Sequence, residues 1–545
     1  MSASTKKKLR QEQVTAEVTK KQKAAKKEAD KMKLYTAIFV AVVVFMLAVV
    51  GIAVIDRSGI VDRNATAAKV GDTKISAAEM NIFYVEAVGD FYTQYNNYIS
   101  MFGLDIYTPL DQQTSTDGTE SWADYFTDAA VDNAHACYAI YNAAQEAGYT
   151  MDETTKAQYD ANIQAMHDAA EQLGYTNYDK YLKAVYGTGV TEEVFAHVME
   201  VMAISTAYNV HYQNSLSYTD ADLTAKDAED PRLFTYYNYS TYVMNTKNYL
   251  EGGTEGEDGK TVYSDAEKEA ARAACEADAQ NLVNAKPAST EEMDKLILEL
   301  PVNADLEVAS TLVTEDMNIT SAPDFMQSWL ADESRKPGDI TYMERTATND
   351  DGITEVTGYN VVLFNGSNTN EFPLVNVRHI LIQPSGGSVD PNTGMTAYSD
   401  AEMSIASKEA QAILDNWLAG EKTEESFAAL ANEHSADSDG TDGGLYTDVF
   451  YNEMVESFND WCFDEARQTG DYALVESEYG VHVMYFVGHS ETTHREYLIT
   501  QALLSEEMDA WYNGQLETNA VERKNLSRVN RDLIIASYFA SNISG

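Results

Sequence analysis

The sequence predicts an α+β protein of several domains: a membrane-anchor helix, a helical domain built from both ends of the chain, and two small α+β units in tandem. Three observations lead there. Residues Leu34–Ile55 form a run of 22 without a charge, enough to cross the roughly 30 Å of a bilayer core. Capping residues followed by amphipathic runs recur from Ser76 to Tyr218 and again after Gly488. Between Val375 and Gly488 two β-branched runs enclose two helix-like patterns, and a weaker copy of this segment lies between residues 232 and 366.

At 545 residues the chain exceeds one ordinary core. Its first 33 residues hold 11 Lys/Arg against 4 Asp/Glu, the imbalance that keeps a flank on the cytoplasmic side. A cleaved leader would have a shorter apolar stretch and a small-residue cleavage site, whereas Asp56, Arg57 and Ser58 follow here. The expectation is a single-pass anchor in the cell membrane: tail 1–33 inside, Leu34–Ile55 in the lipid bilayer, and the bulk extracytoplasmic. The whole chain carries a net charge of −49, so the part beyond the basic tail is more acidic still. Such a surface repels nucleic acid, which is excluded as a partner, and suits cationic or unfolded polypeptides, although it serves solubility equally well. Cys137, Cys275 and Cys462 are far apart and match neither a metal spacing nor a disulfide framework, so they read as structural thiols.

Residues Ala67–Ile75 read AAKVGDTKI, a hairpin with Gly71-Asp72 at its turn. Ser76 with Glu79 forms a capping box, and amphipathic runs follow at Met80–Phe102, Ser121–Ala147, Thr154–Leu173 and Thr191–Ser215. After Gly488, helices are expected at Arg495–Leu516 and Val521–Phe539. Tyr84, Tyr92, Tyr95 and Tyr98 lie close together; exposed, they would make an adaptable peptide-binding surface, and buried, they would be ordinary helix packing.

The segment 374–490 opens VNVRHILIQ and closes GVHVMYFVG, placing His379 and His482 on two apolar runs. Helices are expected at Ala401–Leu418, behind the Ser399/Glu402 capping box, and at Thr423–Glu433. FAALANEHSADS, GGL, MVESF and Phe463 then follow in order. With these motifs in register, the segment resembles the parvulin-type peptidyl-prolyl cis-trans isomerases. The resemblance implies that His379 and His482 form a histidine pair with Asp437 beside it. It also implies that Leu445, Met454 and Phe458 line the proline pocket, with Phe463 and Tyr479 at its border. The family's GGDLG reads GGLY here, so the loop around Leu445 departs from the pattern. A histidine on an apolar strand is by itself more often a core residue than a catalytic one.

Isomerisation asks little of such a site. The X–Pro bond rotates over a barrier of roughly 18–20 kcal/mol because amide resonance must be broken. An apolar pocket holding the proline ring favours the less polar, twisted amide, and fixed donors stabilise it further. No cofactor or metal is implied. The acidic stretch from Asp437 to Asp442 lacks the glycine and glutamate of a calcium loop, with Asp442 and Asp448 in those places. The loop QPSGGSVDPNTGMTAYSD holds no Lys or Arg, which argues against reading phosphorylated residues.

The repeat is visible as TVYSDAE against TAYSDAE, DESRKPGD against DEARQTGD, and GYNVVLF against GVHVMYF. Tyr242 stands roughly where His379 stands and Asn360 replaces His482; with Phe325 matched to Phe458, counting back places Ala304 opposite Asp437, Leu312 opposite Leu445 and Ser321 opposite Met454. The copy at 232–366, interrupted by the acidic insertion EGGTEGEDGK, is therefore a degenerate parvulin-like domain expected to lack activity. The VGDTKIS start resembles the chaperone domain of extracytoplasmic foldases of the PrsA and SurA type. That implies a helical domain over 65–225 completed by 491–540, and proline-containing exported polypeptides as clients. The rival reading, from another class, is a non-catalytic holdase or scaffold that retains the fold.

Overall fold

The computed structural model describes residues 59–116, 118–255, 261–348, 352, 354–390, 394–437, 442–464, 466–529 and 531–535. The basic tail and the expected anchor Leu34–Ile55 lie outside these residues, as do half of the acidic insertion and the middle of the Asp437–Asp442 loop. Among the described residues no helix is long and apolar enough to cross a membrane. The fold mixes helix and sheet, and the described residues form two compact units: 59–218 with 502–535, and 219–501.

In the first unit a short helical turn, Ile60–Asn64, leads into the hairpin β1 (Thr66–Val70) and β2 (Thr73–Ser76), turned at Gly71, whose φ of 57° suits a residue without a Cβ. Ser76 ends β2 and caps α1 (Ala77–Tyr95): its hydroxyl accepts the Glu79 amide at 3.2 Å while Glu79 accepts the Ser76 amide at 2.5 Å. The next helices also begin at side-chain oxygens that satisfy otherwise orphaned amides. They are α2 (Trp122–Glu146) at Ser121, α3 (Glu153–Gln172) at Asp152, α4 (Tyr178–Tyr186) at Asn177 and α5 (Glu192–Ser215) at Thr191. Phe83, Tyr84, Phe126, Tyr138, Tyr186 and Phe195 fill the core. Tyr84 thus belongs to packing, whereas Tyr98 is exposed.

The second unit holds the two copies. The first comprises β3 (Tyr236–Asn245), α6 (Asp265–Ala285), α7 (Thr290–Leu298), β4 (Leu312–Asn318), α8 (Asp324–Leu330), β5 (Ile340–Thr348) and β6 (Thr354–Asn368). The second comprises β7 (Pro373–Ile382), α9 (Asp400–Ala419), α10 (Glu424–His434), β8 (Leu445–Val449), α11 (Glu456–Cys462), β9 (Tyr472–Ser477) and β10 (Gly480–Thr493). Their sheets run β4-β3-β6-β5 and β8-β7-β10-β9, the same order, with every pairing antiparallel. Small details repeat as well. Ser264 with Glu267 and Ser399 with Glu402 build capping boxes, and Arg335 over Trp329 mirrors Arg467 over Trp461.

The structure shifts the alignment of the copies by one residue. Met484 pairs with His379 in the second sheet, and Val362 pairs with Thr241 in the first. Thr241, not Tyr242, therefore takes the place of His379; Tyr242 points into the helix-covered core with Cys275 and Ala279. A slip of one residue in a strand turns every side chain to the other face. The Arg–Trp pairs likewise place Met326, not Phe325, opposite Phe458: Met326 is 3 % exposed and Phe325 is 49 %. At the same offset Val313 replaces Leu312, Ala322 replaces Ser321 and Asp305 replaces Ala304. Asn360 keeps its assignment opposite His482.

After β10 the chain continues as α12 (His494–Thr518), and then departs from expectation. Val521–Arg523 is a strand, β11, not the start of a helix. It pairs with β1, Val70 opposite Val521 and Ala68 opposite Arg523, and completes a three-stranded sheet. The exposed edge of β1 offers backbone hydrogen bonds that outweigh the helical periodicity of a short polar segment.

Candidate active site

Strand alternation builds the site. Ile380, Ile382, Val481 and Val483 turn toward α9 and α10, packing with Ile413, Trp417 and Phe427. The opposite face carries Val375, Val377, Met484 and Phe486, packed with Phe458 and Trp461. His379 and His482 share this second face by the same alternation and are 2 % and 4 % exposed. Their rings stack at 5.2 Å, with Nδ1 3.0 Å from Nδ1. Phe458 meets both edge-on, at 5.4 and 5.5 Å.

At one end of the pair, His379 Nε2 lies 3.2 Å from Asp437 Oδ2, at an oblique angle, and Tyr446 donates its hydroxyl to the same oxygen at 2.8 Å. At the other end, His482 Nε2 is 2.7 Å from Ser477 Oγ. Ser435 Oγ accepts the amides of Leu381 and Asp437 at 3.0 and 3.2 Å, tying the acidic loop to β7. The partners assign the tautomers. His379 carries its proton on Nε2 facing the carboxylate, so its Nδ1 accepts from His482 Nδ1–H, and His482 Nε2 accepts from the Ser477 hydroxyl.

Burial above all pushes the His482 imidazole down to about 3, with His379 acting in the same sense and Asp437 opposing. The His379 contact holds the Asp437 carboxyl below its ordinary range against the cost of burial, and Tyr446 assists. With burial lowering its basicity, His482 meets Ser477 as a hydrogen-bond partner that closes the array rather than as a general base. Cys462 is no nucleophile either, because burial drives its thiol well upward.

A stability consequence follows with a defined sign. Unfolded, His482 takes up a proton as pH falls through 6.5; folded, it stays neutral to about 3. The unfolded chain binds more protons in that window, so this contribution is complete above pH 6.5 and is lost as pH falls toward 3. Asp437 adds a loss in the same direction below its usual carboxylate range. Denaturation midpoints at pH 7 and pH 4.5 should differ less in His482→Gln than in the parent chain; an identical difference would refute the assignment.

Met454 and Phe463 are partly buried beside Phe458, and Phe463 meets Tyr451 edge-on at 5.4 Å. Tyr479 is half-exposed at the β9–β10 turn, its amide donating to Ser477 Oγ at 3.2 Å. Leu445 is placed otherwise than its motif implied. It pairs with Arg378, which turns toward α10 to meet Glu424 at 2.9 Å, so Leu445 shares the helix-covered face. Its neighbour Tyr446 takes the histidine face, 4.9 Å from the His379 ring. The altered GGLY loop accounts for this: alternation sends consecutive strand residues to opposite sides. Gly444, at φ 64°, lets the loop approach β7, where a Cβ would stand 2.2 Å from the His379 carbonyl oxygen. Tyr446 and Ser477 were not anticipated. Only the position of Ser477, five residues before His482 across a tight turn, could have signalled its role.

Residues 360–488 match the family model of the PPIC-type PPIase domain. This segment is a parvulin-type isomerase domain. Among curated proteins, none matches the chain. Among solved structures, the chain is similar to the peptidylprolyl isomerase PrsA from Bacillus cereus at 18 % identity and a TM-score of 0.17, covering 32 % of this chain and 58 % of that one. It is likewise similar to PrsA from Bacillus anthracis, at 18 % identity and a TM-score of 0.17, covering 29 % of this chain and 64 % of that one. The chain thus matches less than two thirds of the length of either protein.

Proposed function

We propose that the protein is a membrane-anchored extracytoplasmic foldase that isomerises X–Pro bonds in exported polypeptides and holds them with its helical unit. The buried, stacked histidine pair above Phe458 supports this reading more than any other observation, because it lies within the segment matched as an isomerase domain. Proline would sit against Phe458 and Met454, with Phe463 and Tyr479 at the border. His379, His482 and Asp437 act as a fixed hydrogen-bond array beside the rotating amide, with Tyr446 and Ser477 closing its ends. They supply orientation and polarity without proton transfer, consistent with a neutral His482. The anchor and its orientation rest on the uncharged run Leu34–Ile55 and the basic tail before it.

The holdase alternative is separated by one experiment. The full chain should accelerate cis-to-trans conversion of a proline tetrapeptide and shorten the proline-limited refolding phase of a denatured protein. A folded chain that binds unfolded polypeptide and gives no rate above the uncatalysed one would leave only the holdase reading.

A further inference from the structure

The loop Phe450–Met454 leads from β8 to α11 and carries Met454 to the edge of the proposed pocket. Glu453 closes it on itself: its carboxylate accepts the Phe450 amide and its amide donates to the Phe450 carbonyl, both at 3.1 Å. Asn452 sits in the left-handed region, φ 69°. Its amide donates to Asn459 Oδ1 at 2.6 Å, and Asn459 Nδ2 returns to Asn452 Oδ1 at 3.3 Å. Asn459 is 3 % exposed and adjoins Phe458 on α11. The remaining group of Asn452, its Nδ2, reaches out of the domain and donates to Asp316 Oδ2 of the first copy at 3.2 Å.

Asp316 is itself held in place. It lies at φ 50°, and its amide donates to Asn238 Oδ1 at 2.6 Å. Its counterpart Asp448 has φ 53° and an amide bonded to Asn376 Oδ1 at 2.9 Å, but its carboxylate accepts from Ser490 at 2.6 Å within its own domain. The two bulges share a backbone, and one carboxylate is turned to the neighbouring copy. A second contact runs alongside. Phe450 stacks on His494 at 4.6 Å and 5°, and His494 meets Tyr236 of β3 at 5.5 Å.

We propose that the first copy positions the substrate pocket of the second: Asp316, acting through Asn452 and Asn459, sets the edge formed by Met454 and Phe458 and so governs how tightly an X–Pro peptide is held. The proposal rests on the isomerase reading above. Asp316 touches no substrate; it is a positioning residue in a copy that has lost its own histidines. A pocket wall left loose by about 1 Å holds its ligand poorly, whereas the hydrogen-bond array beside the amide stays in place.

The test uses two full-length variants that both tolerate a positive φ. Asp316→Gly removes the acceptor without straining the bulge, and Asp316→Asn keeps an acceptor. Asp316→Gly should raise KM for a proline tetrapeptide roughly fivefold, as loss of one charge-assisted hydrogen bond would, with kcat within about twofold, and Asp316→Asn should restore KM. The methyl signal of Met454 in a methyl-labelled NMR spectrum should move in the first variant and not in the second. Equal KM values in the two variants, or a change in kcat alone, would overturn the proposal. Should the parent chain prove inactive, the isomerase reading fails separately, and an unmoved Met454 signal still overturns the positioning role. If Asp316→Gly does not fold, Asn452→Asp removes the donor to Asp316 while keeping an oxygen for Asn459 Nδ2 and a residue type that accepts the positive φ, and should give the same two readouts.

Discussion

Replacing both His379 and His482 by alanine is expected to lower kcat/KM for X–Pro isomerisation by about 10²-fold, the usual cost of removing preorganised hydrogen-bond donors. If the helical unit holds unfolded polypeptide as proposed, that binding should stay within about twofold. The stability of the variants carries a second, sharper expectation. Removing one imidazole strips a buried Nδ1 of its partner 3.0 Å away, which costs about 1–3 kcal/mol beyond the lost packing. Removing both strips neither. The double variant should therefore be less destabilised than the two single variants added together, by an interaction energy of roughly 1 kcal/mol or more. A double-mutant cycle in urea measures it. Strict additivity, or equal loss of isomerisation and polypeptide binding, would contradict the division between a catalytic pair and a separate holding surface.

The second large effect is expected at Phe458. Its ring is 3 % exposed and packs edge-on against both imidazoles. Phe458→Ala should cost about 3–5 kcal/mol, transfer and cavity terms together, and remove activity by letting the histidine pair relax into the void. Phe458→Leu should cost about 1 kcal/mol and act mainly on KM, because the floor of the pocket is kept. Phe325→Ala in the first copy provides the contrast. That side chain is half in solvent, so its loss should stay within about 0.5 kcal/mol. Urea denaturation of the three variants decides the matter, and a large loss at Phe325 would reinstate the alignment that the strand register set aside.

Both expectations depend on how sequence and structure share the information. The capping boxes at Ser76 and Ser399 marked the starts of α1 and α9 to within a residue, because an N-cap is a local contact between residues three apart. The hairpin at Gly71 and the helical runs that follow it were legible for the same reason. Errors arose where two readings differed by one position. Tyr242 against Thr241, Phe325 against Met326, and Leu445 against Tyr446 are indistinguishable by composition, yet alternation sends each pair to opposite faces. Val521–Arg523 went wrong differently. Its helical periodicity was real, but the free edge of β1 lay some 450 residues earlier in the chain.

The sequence by itself determined the first hairpin and its capped helix, most of the long helical runs, the duplication, and the presence of two histidines on apolar strands, since each follows from local periodicity and spacing. Only the tertiary structure decided which face each strand residue occupies, that Ser477 and Tyr446 close the histidine array, and that Asp316 reaches the loop beside Met454. Those outcomes depend on register between distant strands and on contacts between copies more than 130 residues apart, and no short-range pattern encodes them.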